Sequence, residues 1–147
     1  MAQSNARAVF EAWLQAVNSH DGGAVDALVH PDYEEVWPQS GERIRGVANL
    51  KAILEHYPGG YTDQGRDRVV GAEDRWVVTP MYTLLRIEGT GSVYTGVRKA
   101  RYANGSDWFV VQIAEIRDER IWRVQTFFAP TFEAPAWRAE WVDSAAQ

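Results

Sequence analysis

The sequence predicts an α+β domain in which three N-terminal helices pack on one face of a β-sheet. Apolar residues recur at helical spacing in three segments of the first 57 residues. The rest of the chain is rich in β-branched and aromatic residues, which favour strands. With 147 residues, 46% of them hydrophobic, the chain is long enough for one core, and we predict a single domain over residues 1–147.

The three predicted helices precede most of the sheet. The first covers residues 6–18. Its apolar face is formed by Phe10, Trp13, Leu14 and Val17. Asp21 is the predicted N-cap of a short second helix, which Pro31 ends because a proline disfavours helix at the preceding residue. The third helix repeats apolar residues from Val47 to Tyr57.

The strands are predicted from β-branched and aromatic runs that are bounded by turn residues. They cover residues 33–37, 68–71, 76–88, 93–102, 107–117 and 121–129. Residues 39–46 are predicted to form a connecting loop because they are polar and contain glycine. Residues 104–105 and 118–120 favour tight hairpin turns. Pro80 predicts a sheet edge or a bulge because it has no N–H for a strand ladder.

The strand predicted over residues 107–117 is apolar on both faces. Trp108, Val110, Ala114 and Ile116 alternate with Phe109, Val111 and Ile113. Three short helices cover only one face of such a sheet, so we expect a second copy of the chain on the other face. The sequence therefore predicts a homodimer. We expect the C-terminal extension, residues 130–147, to fold its aromatic residues back over the domain.

Composition excludes several classes of function. The formal charge of -5 repels phosphate backbones, so nucleic acid is not expected as a partner. The chain has no cysteine and no metal-binding or phosphate-binding motif, so we expect no metal and no cofactor. It has neither a leader-like N-terminus nor a long apolar run. We therefore expect no membrane association and a cytoplasmic location.

Four segments together resemble the nuclear transport factor 2-like superfamily, of the SnoaL-like kind. They are residues 13–21 (WLQAVNSHD), 30–33 (HPDY), 41–46 (GERIRG) and the predicted hairpin over residues 116–128. The resemblance covers almost the whole chain. It implies a cone-shaped, curved antiparallel or mixed sheet with the three helices on its concave face. It also implies a small pocket between helices and sheet, and a dimer through the convex face.

The catalytic patterns of that superfamily do not transfer directly to this sequence. The resemblance to ketosteroid isomerases implies a tyrosine and two aspartates where this chain has Trp13, Trp37 and Gln112. None of these side chains exchanges a proton, so we predict that the protein is not a ketosteroid isomerase. The Asp-Arg-Asp arrangement of limonene-epoxide hydrolase has no counterpart among the predicted inward positions. The sequence Ser19-His20-Asp21 is a turn and helix cap, because neighbouring residues cannot form a catalytic triad.

The predicted site is a mostly apolar pocket for a small apolar or aromatic molecule. Its predicted ligand-binding residues are Trp13, Tyr33, Trp37, Tyr57, Tyr82, Trp108, Gln112, Thr126 and Phe128. The candidate acid/base residues are Glu35 and Asp32. Glu34 and Glu35 lie on opposite faces of the strand, so alternation leaves open which of them points inward, and the resemblance implies Glu35, on the face of Tyr33 and Trp37. We expect Arg98 and the other strand arginines at solvated edges or in cross-strand pairs.

Two functions remain open on this evidence. The first is a cofactor-free lyase, isomerase or cyclase with one carboxylate in a dry site. The second is a non-catalytic module that binds proteins or acts as a scaffold, in which Trp13 and Trp37 are core residues and Gln112 is satisfied by the backbone or by Thr126. His30 and Glu115 are expected to be structural, with Glu115 facing the dimer side next to Arg117 or Arg123.

Overall fold

A computed structural model describes residues 2–56, 68–70, 76–78, 82–102 and 104–143, with side chains described over residues 5–56, 86–102 and 104–143. The helices are α1 (Ala2–Asn18), α2 (Gly22–Leu28) and α3 (Val47–Glu55). The strands are β1 (Val29–Trp37), β2 (Glu42–Arg45), β3 (Arg68–Val70), β4 (Trp76–Val78), β5 (Tyr82–Thr90), β6 (Val93–Arg101), β7 (Asp107–Arg117) and β8 (Arg120–Pro130). A 3-10 helix over Ala136–Trp141 follows.

The described strands form one curved mixed sheet in the order β2-β1-β8-β7-β6-β5-β4-β3. Strand β1 runs parallel to β8, and every other neighbouring pair is antiparallel. The chain therefore places its first strand beside its last, which brings residues about 90 positions apart into contact. The predicted α+β class, with the helices on one face of a curved sheet, is confirmed.

Helix α1 packs closely on the face of the sheet that carries Gln112, which we call the inner face. Gly96 lies opposite Gln112 in the ladder, and a Cβ at Gly96 would meet Phe10 at 3.1 Å and Leu14 at 3.2 Å. The absent side chain is what lets the helix approach this closely. Phe10 is fully buried and stacks on Trp13 at 6.1 Å and on Tyr94 at 6.0 Å between ring centroids.

Two strand boundaries differ from the prediction. The predicted loop over residues 39–46 contains β2, a strand with three charged residues and the buried Ile44, which pairs with Glu34–Trp37 at the edge of the described sheet. Charged side chains are common on edge strands, so polarity alone did not indicate a loop. Strand β1 begins at Val29 and includes Pro31, because the register shifts between Val29 and Glu34 and leaves the proline without a ladder partner.

Turns and caps follow local chemistry. Asp21 accepts a hydrogen bond from the Ala24 N–H at 3.0 Å and caps α2 as predicted. Asp118 and Glu119 have φ values of 51° and 58°, the left-handed geometry of a two-residue hairpin turn. The predicted strand over residues 76–88 is divided into β4 and β5. Pro80 lies between them, outside the described residues.

The C-terminal extension does not fold back over the domain, and that prediction is wrong for the described residues. Phe132, Trp137 and Trp141 are 80%, 73% and 72% exposed. The segment Ala136–Trp141 is a 3-10 helix that contributes no buried residue.

Candidate functional site

Four polar side chains from four adjacent strands lie across the inner face. They are Glu35 on β1, Thr126 on β8, Gln112 on β7 and Arg98 on β6, which we call the polar row. Each is at most 3% exposed. Buried polar groups persist only where hydrogen bonds replace the lost water, so the bonds within the row decide what it can do.

The Glu35 carboxylate accepts three hydrogen bonds. Its Oε1 accepts from the Tyr33 hydroxyl, and its Oε2 accepts from Trp37 Nε1 and from Thr126 Oγ1 at 3.0 Å. Tyr33 and Trp37 reach the carboxylate because alternate residues of β1 share one face, as the sequence predicted. This donor set satisfies an ionised carboxylate.

The remaining bonds extend from Thr126 to Arg98. Gln112 faces Thr126 directly in the β7–β8 ladder, and its Nε2 donates to Thr126 Oγ1 at 3.3 Å. Arg98 Nη2 donates to Gln112 Oε1 at 2.6 Å. A buried guanidinium and a buried carboxylate are thus joined through one amide and one hydroxyl group, and the charge-assisted bonds are the short ones.

The Tyr33 hydroxyl keeps its proton beside this carboxylate. Burial, first, and then the charge of Glu35 and its hydrogen bond raise the pKa of Tyr33 well above its ordinary value. Tyr33 is therefore a donor to Glu35 throughout the neutral range, and it is not a base.

Two further aromatic residues of the predicted pocket lie near the row. Phe128 packs edge-on against Trp37, with ring centroids 5.1 Å apart. Trp13 is fully buried in the core cluster that also contains Tyr33, and among the described residues its indole Nε1 has no hydrogen-bond partner. An unpartnered buried donor is costly, and such groups occur where a ligand or an ordered water supplies the acceptor.

The structure does not bring every predicted site residue together. Asp32 is exposed, and its backbone N–H donates to His30 Nδ1 at 3.0 Å. Trp108 lies at the far end of β7, where its Nε1 donates to Ser106 and its ring contacts Tyr102. Tyr57 lies outside the described residues, and Tyr82 is described only as backbone of β5.

Arg98 is the site residue that sequence reasoning left out. It was expected at a solvated edge or in a cross-strand pair, and the second alternative holds because it is buried and paired with Gln112. The signal in the sequence was the alternation of side chains along β6. The residues that share its inner face are Tyr94, Gly96, Arg98 and Ala100. Both faces of this sheet are apolar, so alternation alone did not indicate which face of β6 the helices cover.

The opposite, outer face of the sheet carries a groove of about 410 Å³. It is lined by Glu34, Val36, Val93, Ile113, Glu115, Arg123, Val124 and Gln125. Glu115 therefore faces away from the polar row and lies opposite Arg123 in the ladder, as predicted. His30 is held between Asp32 and Asp118, which is 3.3 Å from its Nε2, and has a structural role.

Comparison with known proteins gives the family. The model of the SnoaL-like domain matches residues 10–124. The chain belongs to the SnoaL-like domain family. This SnoaL-like protein is 29% identical to an NTF-2 like protein of unknown function from Burkholderia xenovorans, with a TM-score of 0.74 over 99% of each chain. No curated protein matches the chain significantly.

Two further solved structures share the fold of this SnoaL-like protein. A proposed ketosteroid isomerase from Kribbella flavida is 20% identical, with a TM-score of 0.77 over 100% of this chain and 94% of the other. An LEH-like epoxide hydrolase from M. tuberculosis is 22% identical, with a TM-score of 0.62 over 87% and 85%.

In the part of the chain that is described, no three histidine or acidic side chains are grouped as metal ligands. The described helices include none that is both long enough and apolar enough to cross a membrane.

Proposed function

We propose that this SnoaL-like protein binds a compact, largely apolar or aromatic molecule beside the polar row and uses Glu35 as a cofactor-free acid/base. The observation that carries the proposal is the Glu35 carboxylate, which is 3% exposed and held by three donors. A positioned carboxylate away from water is a general base whose charge is not screened.

The reaction that suits this group is proton abstraction next to a carbonyl group. The C–H bond of the ligand breaks, its electron pair forms an enolate, and the proton passes to Glu35. Return of that proton to another carbon completes an isomerisation, and its transfer to a leaving group completes an elimination. In a cyclisation the enolate carbon attacks a second carbonyl group of the same molecule, the new C–C bond forms as the C=O π bond breaks, and the resulting alkoxide takes the proton back from Glu35.

The proposed ligand has an acceptor oxygen as well as an apolar body. Trp37, which donates to Glu35, packs against Phe128, and Trp13 belongs to the core cluster that contains Tyr33. The Nε1 of Trp13 has no partner among the described residues and is a donor of the kind that a carbonyl oxygen satisfies. This combination supports cyclic ketones, lactones and aromatic carbonyl compounds as the class to test.

The test measures binding and proton exchange with a panel of cyclic ketones, lactones and aromatic acids. We expect a saturable change in tryptophan fluorescence that is lost in Trp13→Phe and retained in the matched control Trp108→Phe. In D₂O the bound ketone should exchange its α-hydrogens, and Glu35→Gln should slow this exchange by about 10²- to 10⁴-fold. Exchange at the wild-type rate in Glu35→Gln would contradict the role of Glu35.

One observation favours a second candidate, a non-catalytic module that binds proteins. The exposed rings of Phe132, Trp137 and Trp141 are aromatic surface of the kind that interfaces bury. If no member of the panel binds, this candidate replaces the first.

We propose that a second copy of the chain covers the outer face. Phe109, Val111, Ile113 and Phe127 lie on this face half-buried, and the groove beside them combines apolar walls with acidic and basic side chains. A two-fold interface places one surface against itself, so a patch carrying both charges is self-complementary.

Sedimentation equilibrium tests this dimer. We expect the wild-type chain to sediment as a dimer and Ile113→Lys to sediment as a monomer, because the substitution places an unpaired charge in the apolar interface. Ser40→Lys, on an exposed turn, should leave the dimer intact. A wild-type monomer at concentrations above 100 micromolar, roughly the weak limit of specific association, would refute the proposal.

A further inference from the structure

The hydrogen bonds of the polar row all point in one direction, and the two ends of the row impose that direction. A guanidinium group has only donors, and an ionised carboxylate has only acceptors. Gln112 must therefore turn Oε1 towards Arg98, which leaves Nε2 to donate to Thr126. The Thr126 oxygen accepts from Gln112, so its single proton is directed to Glu35 Oε2.

This direction makes the two oxygens of Glu35 unequal. Oε2 accepts from Trp37 and from Thr126, so both of its lone pairs are used. Oε1 accepts only from Tyr33 among the bonds of the described residues, so it retains one lone pair. Every donor named here is at least half-buried, so water competes little for these positions.

We infer that Glu35 takes its proton at Oε1, and that Arg98, acting through Gln112 and Thr126, is a positioning residue that keeps Oε2 as an acceptor. The inference rests on the proposed function, because it assigns the reacting atom of the same carboxylate. In the reaction the C–H bond of the ligand breaks, the new O–H bond forms at Oε1, and the electron pair remains on the ligand. The Tyr33 hydroxyl keeps its own proton, because its pKa is raised.

The aligned bonds make this a coupled unit. Hydrogen bonds in a chain polarise one another, so each link in the row strengthens the next. Loss of the Arg98 cation frees Gln112 to reverse its amide, and the Thr126 proton is then no longer directed to Glu35. Arg98, Gln112 and Thr126 should therefore act together to keep Glu35 Oε1 free to accept the proton of the ligand.

The functional test compares Thr126→Val with Thr126→Ser. The two substitutions are matched, because valine has the shape of threonine without the hydroxyl group and serine keeps that hydroxyl. We expect Thr126→Val to slow α-hydrogen exchange of the ketone that binds best by about 10- to 100-fold while its Kd changes less than threefold. Thr126→Ser should remain within about threefold of wild type. Equal exchange rates in the two variants would overturn the inference.

A second readout does not depend on the proposed function. The unfolding equilibrium of Arg98→Met, Thr126→Val and the double variant forms a double-mutant cycle. We expect non-additivity of about fivefold or more in the unfolding equilibrium constant, because both substitutions break the same chain of bonds. Additive effects would overturn the inference whether or not a ligand is found. A non-additive cycle together with no hydrogen exchange in the wild-type protein would refute only the proposed function.

If Arg98→Met does not fold, Gln112→Glu provides an alternative test of the same inference. It keeps an acceptor for Arg98 at the same position but has no N–H for Thr126. The Thr126 hydroxyl is then drawn away from Glu35, so exchange should slow as it does in Thr126→Val. An exchange rate equal to wild type in Gln112→Glu would contradict the inferred role of the directed hydrogen bonds in the polar row.

Discussion

Replacing Glu35 with leucine is expected to lower the free energy of unfolding by about 3–5 kcal/mol. The substitution removes the acceptor shared by Tyr33, Trp37 and Thr126, so these donors are left inside the domain without partners. It also leaves the buried Arg98 without the anion at the other end of the row. Burial of the leucine methyl groups offsets part of this loss, but one apolar side chain does not replace three hydrogen bonds.

Urea denaturation followed by circular dichroism measures this effect. Asp26→Leu is the control, because Asp26 is an exposed carboxylate on α2 that pairs with Lys51 at 2.7 Å and lies outside both the polar row and the outer-face groove. A surface ion pair contributes about 0–1 kcal/mol, so the control should change little. Glu35→Gln keeps one acceptor and should fall between the two. Equal destabilisation by Asp26→Leu and Glu35→Leu would show that the buried hydrogen bonds contribute no more than a surface ion pair.

Arg98→Met is expected to lower the free energy of unfolding by about 2–4 kcal/mol. Methionine retains most of the apolar stem, so the change isolates the loss of the guanidinium group. Gln112 Oε1 loses a 2.6 Å charge-assisted bond, and the Glu35 carboxylate loses the cation that balances it through the row. The pair is separated by two side chains, so we expect a smaller effect than that of Glu35→Leu.

Arg101→Met is the matched control for this prediction. Arg101 lies three residues away on the same strand, and its guanidinium pairs with Asp107 at 2.8 Å at an exposed position. Chemical denaturation should show less than about 1 kcal/mol of change in this variant. If Arg101→Met and Arg98→Met prove equally destabilising, the burial of Arg98 adds nothing to the free energy of unfolding, and the residues of the polar row are not energetically coupled.

The part of the site that could be predicted is the part that depends on local rules. Alternation along β1 predicted that Glu35 shares a face with Tyr33 and Trp37, and their hydrogen bonds confirm it. The turn predicted over residues 118–120 places Gln112 opposite Thr126, and the structure has this pairing because a register shift between Glu115 and Ile116 adds one residue to its two-residue turn. Both inferences require only the two-residue period of a strand and the length of one turn.

The encounter of Glu35 with Thr126 could not be predicted in the same way. It depends on parallel pairing of the first strand with the last, between residues 91 positions apart, and no local rule specifies that register. The burial of Arg98 depended on which face of β6 the helices cover. The extended tail was mispredicted because apolar residues indicate a tendency to be buried but not the surface that buries them.

The sequence by itself determined the α+β class, the three helices, most of the strands and the face shared by Tyr33, Glu35 and Trp37, because each follows from side-chain period, capping and turn chemistry over a few residues. Only the tertiary structure decided that Glu35 and Arg98 belong to one buried row. A charged side chain is stable inside a protein when distant partners satisfy it. Those partners are supplied by strand order and register, which are properties of the whole chain.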